Sequence, residues 1–226
     1  MVSDAKCSIF FSPNVDVEVK AAVCAQLNIM TEAISDKYLG LPAMVGADRS
    51  DSFIQLLERV IKRLKVWREK FLSVGGKEVV IKSVAQAIPT YSMACFKLPR
   101  GLCLHINGLL RKFWWGSKKG ERKTAWVSWE VMTQPKFMGG MGFRDIKLFN
   151  LALLARQAWR LLQDPDSLSA RILKAVYYPT CTVLEAELGS NPSQVWRSIH
   201  ERCDTLKLGI IKRIGTGSET SIWHDN

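Results

Sequence analysis

The stretch FIQLLERVIKRLKVWREKF, residues 53–71, contains the clearest structural signal in this chain of 226 residues. Its apolar residues recur at intervals of three and four, which is the spacing of one face of an α-helix. They are Phe53, Leu56, Leu57, Val60, Ile61, Leu64, Trp67 and Phe71. Basic residues fill most of the positions between them, so the stretch predicts a long helix with one apolar face and one cationic face.

The residues on both sides of this helix predict a helical hairpin. Ser52, with Gln55 three residues later, is a capping-box start. Gly75-Gly76 is a natural stop, after which a second helix is expected from Lys77 to Ala87. An extended segment, residues 90–98, should then lead to a third helix.

The third helix is expected to open at Pro99 and to end in the aromatic pair Trp114-Trp115, which a cationic loop follows. The other predicted elements are strands at 8–11, 37–42 and 126–129, helices at 17–27, 148–162 and 168–178, a helix after Ser193, and a β-hairpin at 209–223. The sequence therefore predicts a mainly α fold with short β elements. Gly139-Gly140-Met141-Gly142 suggests a boundary, and the expected domains are 1–49, 50–138 and 139–226.

Positive charge is concentrated in residues 54–123, which contain 16 Lys and Arg against 4 acidic residues, while the whole chain has a net charge of +11. Such a surplus on a foldable framework indicates a surface that meets a polyanion, most often nucleic acid. Phe113 and Trp114 continue the apolar stripe of the third helix, whereas Trp115 could stack on a base. The candidate nucleic-acid-binding residues are Arg59, Lys62, Arg63, Lys65, Lys82, Arg111, Lys112, Trp115, Lys118 and Lys119.

Composition narrows the class of protein. A hydrophobic content of 47% is enough for a folded core. No apolar run reaches the roughly 18 residues of a membrane span, and the first residues lack the pattern of a signal peptide. The six cysteines show no regular spacing, which favours reduced thiols. We therefore expect an intracellular protein, nuclear or cytoplasmic, with no membrane partner.

Catalytic signatures are missing from the sequence. Nucleotidyl transfer requires carboxylates that hold two divalent metals about 4 Å apart, and no neighbouring aspartates follow an apolar strand. His200 and Cys203 are spaced like half of a zinc site, but a second close pair is missing. We expect no metal site, no bound cofactor and no catalytic residue of established role in this chain.

Several motifs occur in an order that resembles plant non-LTR (LINE-type) retrotransposon reverse transcriptases. These motifs are Ala5–Ser12, Lys37–Pro42, Gly75–Val84, Ala87–Pro89, Phe113–Gly116, Gly139–Asp145 and Phe149-Asn150. The resemblance covers essentially the whole chain and implies an RNA-directed DNA polymerase that uses Mg²⁺. It implies that 1–49 is a remnant of the palm sheet, 50–138 a thumb-like helical region, and 139–226 a helical region leading toward a zinc knuckle or RNase H.

The resemblance also assigns roles to individual residues. Lys6 matches a palm lysine, and Tyr38-Leu39-Gly40 matches the primer-grip turn. The catalytic Asp-Asp pair of the family precedes the segment that resembles Ala5–Ser12, so we expect a truncated polymerase without activity of its own, whose partners are a nucleic-acid duplex and the missing palm and fingers. Two alternatives are a non-catalytic basic nucleic-acid-binding protein and a decayed retrotransposon product with no selected function.

Overall fold

The computed structural model describes residues 9, 11, 14–29, 37, 38, 40–42, 52–68, 70, 72–116 and 124–211. The chain divides into two compact units, Met1–Phe53 and Ile54–Asn226. The predicted mainly α fold class is confirmed: the described residues are predominantly helical, and their strands are short. None of the described helices has the length and apolar character that crossing a membrane requires.

The first unit contains one helix and a small hairpin among its described residues. Helix α1 covers Val17–Leu27, as the sequence predicts, and Asn28 ends it in the left-handed conformation with φ of 52°. Strands β1 (Lys37–Tyr38) and β2 (Leu41–Pro42) pair in antiparallel orientation. Gly40 has φ of +80°, which glycine adopts without the steric cost of a Cβ. The strand predicted at 8–11 falls mostly outside the described residues.

The second unit begins with the predicted amphipathic helix and then differs from the sequence prediction. Helix α2 covers Ile54–Arg68. Helix α3 covers Val74–Val79 and continues as a π-helical segment at Val80–Ala85. Gly75-Gly76, expected to be a stop, lies instead in the first turn of α3. The reason is that the Ser73 hydroxyl accepts a hydrogen bond from the Gly76 N–H at 3.1 Å and caps the helix.

The segment predicted to be extended at 90–98 is largely helical. Helix α4 covers Thr90–Cys95, and Pro89 stands at its N-cap. Thr90 and Tyr91 have strand propensity. The segment is nevertheless helical, because this turn packs against neighbouring helices and buries Met93, which is 0% exposed. Helix α5 then covers Arg100–Trp115 and begins after Pro99, as predicted.

The strand predicted at 126–129 is also wrong. Residues 126 and 127 form a bend, and a short helix, α6, covers Trp129–Thr133. The Ser128 hydroxyl accepts a hydrogen bond from the Val131 N–H at 3.4 Å, so an N-cap replaces the expected alternation. A 3₁₀ turn at Lys136–Met138 follows and ends at Gly139, whose φ is 84°.

Of the remaining helices, the first three agree closely with the prediction, and the last was not predicted as a separate helix. Helix α7 covers Ile146–Gln163, α8 covers Leu168–Tyr177, α9 covers Gln194–His200 and α10 covers Cys203–Lys207. Ser193 caps α9 by accepting a hydrogen bond from the Trp196 N–H at 3.2 Å. Most of the hairpin predicted at 209–223 falls outside the described residues.

Helix α7 organises the second unit. It contacts α4, α5, α9 and α10, while α2 packs against α5 and the π-helical segment. These contacts bury the apolar face of α2, and Leu56, Val60 and Leu64 are at most 4% exposed. Since α4 and α5 precede residue 139 and α7 follows it, helices from both sides of the predicted boundary are in contact. The domain boundaries stay a prediction.

Two buried amide side chains tie the residues at the start of α7 to earlier helices. The Gln86 Nε2 donates a hydrogen bond to the Arg144 carbonyl at 2.8 Å. Asn107 of α5 accepts a hydrogen bond from the Ile146 N–H at 3.3 Å and donates one to Asp145 at 3.0 Å. Both side chains are less than 9% exposed, so these bonds are shielded from water and fix the direction in which α7 begins.

A second core lies between α7 and the last helices. Trp196 is 0% exposed and stacks on Tyr177 and Tyr178, with ring centroids 5.0 and 5.3 Å away. His200 forms a hydrogen bond with the Ala186 carbonyl at 2.7 Å, and Cys203 lies 3.5 Å from the Val183 carbonyl. His200 and Cys203 are thus parts of this core. Within the described ranges no group of three His, Cys, Asp or Glu could hold a metal ion.

An ion pair between Lys97 and Glu201 predicts a pH dependence of stability. Burial raises the pKa of Glu201, but the hydrogen bond and charge of Lys97, together with Arg202, outweigh it and hold the pKa below its ordinary value of 4.5. The stabilisation is therefore complete at neutral pH and is lost as the pH falls from about 4.5 through the lower folded-state value. In the variant Glu201→Gln, the free energy of unfolding should fall less steeply with decreasing pH, which urea unfolding at several pH values measures. An equally steep loss in the variant would contradict the prediction.

Candidate nucleic-acid interface

The exposed side of α2 is the most strongly charged helix surface among the described residues. Arg59, Lys62, Arg63 and Lys65 are all exposed, and we call them the cationic side of α2. In the described part of the chain, none of the four forms an ion pair. The helix contains a single acidic residue, Glu58, against five basic ones. The charge is therefore available to a polyanion rather than neutralised within the fold.

The helical periodicity divides these cations into two groups. Arg59, Lys62 and Arg63 have the spacing i, i+3 and i+4, so they share one flank of the helix. Lys65 lies toward the other flank, together with Arg68. Because the buried face fixes α2 on α5, both flanks keep a constant orientation relative to the second unit.

Lys82, another predicted contact, has a different environment. Its Nζ lies 2.7 Å from Glu78 Oε1 and 5.6 Å from the centroid of the Phe143 ring. Lys136 approaches the same carboxylate at 3.1 Å. Hydrogen bonds from Lys82 and Lys136 hold the pKa of Glu78 below its usual value. The charge of Lys82 is thus partly compensated within the fold, unlike the charges of α2.

The end of α5 brings aromatic and basic residues together. Arg111 and Lys112 are exposed, and Trp114 packs edge-on against Phe143 at a centroid distance of 5.3 Å, in agreement with the core position predicted for it. Lys77 donates hydrogen bonds to the carbonyls of Trp114 and Gly116 at 3.1 and 3.0 Å. This lysine binds the C-terminal carbonyls of α5 and stabilises the end of the helix.

Trp115 is half-buried. Its indole nitrogen is buried and has no hydrogen-bond partner among the described residues. Its stacking role stays a prediction. Several other predicted positions, Lys6, Leu39, Lys118 and Lys119, lie outside the described residues, as does the side chain of Tyr38. The primer-grip assignment therefore also stays a prediction, although Gly40 does lie in the tight turn between β1 and β2.

Sequence reasoning missed two exposed aromatic side chains. Trp126 is 83% exposed and Phe137 is 85% exposed, on either side of α6. Trp126 was expected to alternate with Trp129 in a strand, and Phe137 belongs to no periodic stripe. The sequence does contain one signal for their exposure, which is their position near the turn-forming residues Ser128 and Pro135. Large apolar side chains in such segments belong to no apolar helix face that could bury them.

Comparisons with known proteins identify relatives in one plant. No protein-family model matches the chain, and no solved structure matches it. The chain is 39% identical over 140 residues to the Uncharacterized mitochondrial protein AtMg00310 of Arabidopsis thaliana, covering 62% of this chain and 91% of that protein. The chain belongs to the same family as this mitochondrial protein.

A second relative is longer. The chain is 32% identical over 189 residues to the Putative ribonuclease H protein At1g65750 of Arabidopsis thaliana, covering 82% of this chain. It spans only 30% of that relative's length. The matched part therefore corresponds to one segment of the larger protein.

Proposed function

We propose that this transposon-related chain is a duplex-gripping segment, thumb-like in role, of a plant LINE-type reverse transcriptase. The observation that carries the proposal is the cationic side of α2, which is exposed and forms no ion pair within the described part of the chain. The order of motifs and the relative named as a putative ribonuclease H support a place in a retroelement protein.

The mechanism of binding follows from the geometry of α2. Its 15 residues give a length of about 22 Å, which corresponds to about six to seven base pairs at about 3.4 Å each. Arginine and lysine side chains along the helix would contact phosphates on one edge of a groove of the duplex. These contacts would release the counterions condensed on the phosphates. Because the buried face of α2 holds the helix on α5, little ordering entropy would be lost when the duplex binds.

A first test measures affinity for an RNA–DNA hybrid at several salt concentrations, for example by fluorescence anisotropy. Four phosphate contacts from the cationic side of α2 predict a slope of log K against log salt of about −3.6 or steeper. A control with a neutral peptide nucleic acid duplex should show almost no slope. Affinity for the hybrid that does not change with salt would contradict the proposal.

Catalysis requires groups that this sequence does not contain. Without neighbouring aspartates after an apolar strand, the two Mg²⁺ ions of the complete family enzyme would have to be held by a palm in another segment or chain. We therefore expect no primer extension by the purified chain with Mg²⁺, deoxynucleotides and a poly(A) template. Extension above a control without protein would overturn this prediction, whereas binding without extension agrees with a gripping role.

A further inference from the structure

Trp126 and Phe137 stand out from the other aromatic residues of the same region. They are 83% and 85% exposed, whereas Trp129 and Phe143 are 5% and 2% exposed. Two large exposed rings forgo the stabilisation that burial gives, so a molecule that covers them would gain this free energy on binding. Their position beside the basic end of α5 indicates the kind of molecule that could cover them.

The segment that presents these rings is firmly anchored. Trp129 stacks on Phe143 at a centroid distance of 5.5 Å, and Phe143 also contacts Trp114 of α5. The Met132 carbonyl accepts hydrogen bonds from the N–H groups of Met141 and Phe143 at 3.0 and 3.3 Å. Helix α6 is about 7.5 Å long, so it holds Trp126 and Phe137 near its two ends.

Cations surround this segment. Lys136 precedes Phe137 and is 68% exposed. Arg111 and Lys112 are exposed in the last turn of α5, the turn that also contains Trp114. Phe143 contacts both Trp114 in the last turn of α5 and Trp129 at the start of α6, so the basic end of α5 lies beside α6. Lys136 is paired with Glu78 at 3.1 Å, whereas Arg111 and Lys112 form no ion pair within the described part of the chain.

We propose that Trp126 and Phe137 form a stacking platform for the bases of single-stranded nucleic acid, in the same unit as the duplex grip. The proposal rests on the proposed function and extends it to the unpaired strand that adjoins a duplex. Bases in a duplex are stacked on each other, whereas unpaired bases expose faces on which aromatic rings can stack. The neighbouring cations favour a phosphate-bearing occupant over an apolar or basic protein surface.

The test compares two RNA–DNA hybrids of equal duplex length, one blunt and one with an RNA overhang of about ten nucleotides. The wild-type chain should bind the overhang hybrid more tightly. The double variant Trp126→Ala, Phe137→Ala should lose about 10-fold or more of this preference, because stacking contributes substantially for each base. Its affinity for the blunt hybrid and its salt slope should not change, since no charge is altered. A DNA overhang of the same length shows whether the sugar matters.

Two further variants sharpen the result. Tyr91→Ala, Trp159→Ala removes one tyrosine and one tryptophan that are 52% and 40% exposed on other helices, and it should keep the overhang preference. Trp126→Leu, Phe137→Leu keeps apolar bulk without aromatic faces and should lose the preference as the alanine variant does.

Two results would overturn the stacking proposal without contradicting the duplex grip. One is that the alanine variant prefers the overhang hybrid over the blunt hybrid as strongly as the wild type does, which would leave a protein partner as the molecule that covers the rings. The other is equal affinity of the wild-type chain for both hybrids with the steep salt slope intact, which would remove the platform and keep the duplex grip. Failure to bind either hybrid would instead remove the duplex grip and the platform with it.

Discussion

Changing Arg59, Lys62, Arg63 and Lys65 to glutamate should weaken binding to an RNA–DNA hybrid about 1,000-fold in about 0.1 M salt. Each phosphate contact contributes close to −0.9 to the salt slope, so the loss of four contacts should reduce the slope by about 3.6. The helix itself should remain folded, because its buried face is untouched and all four side chains are exposed. Fluorescence anisotropy across a salt series measures both quantities.

A matched variant separates local contact from overall charge. Lys147, Arg156, Arg171 and Lys174 are exposed on α7 and α8, and changing them to glutamate alters the net charge equally. This control should weaken binding by less than about 10-fold, since long-range attraction is screened beyond about 10 Å in such salt. Equal losses in the two variants would mean that α2 is not the binding surface. Far-ultraviolet circular dichroism of both proteins should match that of the wild type.

Replacing Asn150 with alanine should destabilise the second unit by about 3–5 kcal/mol. Asn150 is 2% exposed, and its Oδ1 accepts a hydrogen bond from the Leu98 N–H at 2.9 Å. Its Nδ2 donates to the carbonyls of Met93 and Phe96 at 2.7 and 2.9 Å. One side chain thus satisfies three buried backbone groups at the end of α4. Leaving such groups without partners costs about 1–3 kcal/mol each.

Urea unfolding followed by circular dichroism measures this loss. Asn191→Ala is the matched control, because Asn191 is exposed in the turn before α9, and its effect should stay within about 0.5 kcal/mol. A loss of less than about 1 kcal/mol in Asn150→Ala would show that water replaces the amide. The sequence contained Asn150 only as part of a motif, and its three hydrogen bonds supply a physical reason for an asparagine there.

Long helices were the most predictable part of the fold. Helices α2, α5 and α7 were expected from periodicity, since an apolar stripe at intervals of three and four can be buried only by a helix. Ser193 was recognised as a cap because a serine side chain pairs with the free N–H groups of the next turn. These signals are local, and a single sequence contains them.

Short helices were less predictable. Helix α4 has residues with strand propensity, and Trp126 and Trp129, before and at the start of α6, suggested a short strand, so local propensity favoured the wrong structure in both. A helix of five or six residues is not stable alone, and its formation depends on the contacts that bury Met93 or Trp129 in the folded unit. Gly75-Gly76 was taken for a stop because glycines commonly end helices, and the capping role of the Ser73 hydroxyl was not predicted.

In the candidate interface, too, some residues could be predicted from the sequence and others depended on tertiary contacts. Arg59, Lys62, Arg63 and Lys65 could be proposed from the sequence, because a charge between apolar positions on a helix must face outward. Glu78 pairs with Lys82, four residues away, and also with Lys136, which is distant in sequence. The exposure of Trp126 and Phe137 was missed for a related reason, because exposure depends on which neighbours fail to cover a side chain.

By itself, the amino-acid sequence determined that this protein is mainly helical and that one helix carries a cationic side, because periodicity and charge are properties of neighbouring residues. Only the tertiary structure decided which cations stay available, which tryptophans are buried, and where short segments become helical. Those outcomes depend on burial, and burial depends on chain segments that are distant in sequence but in contact in the fold.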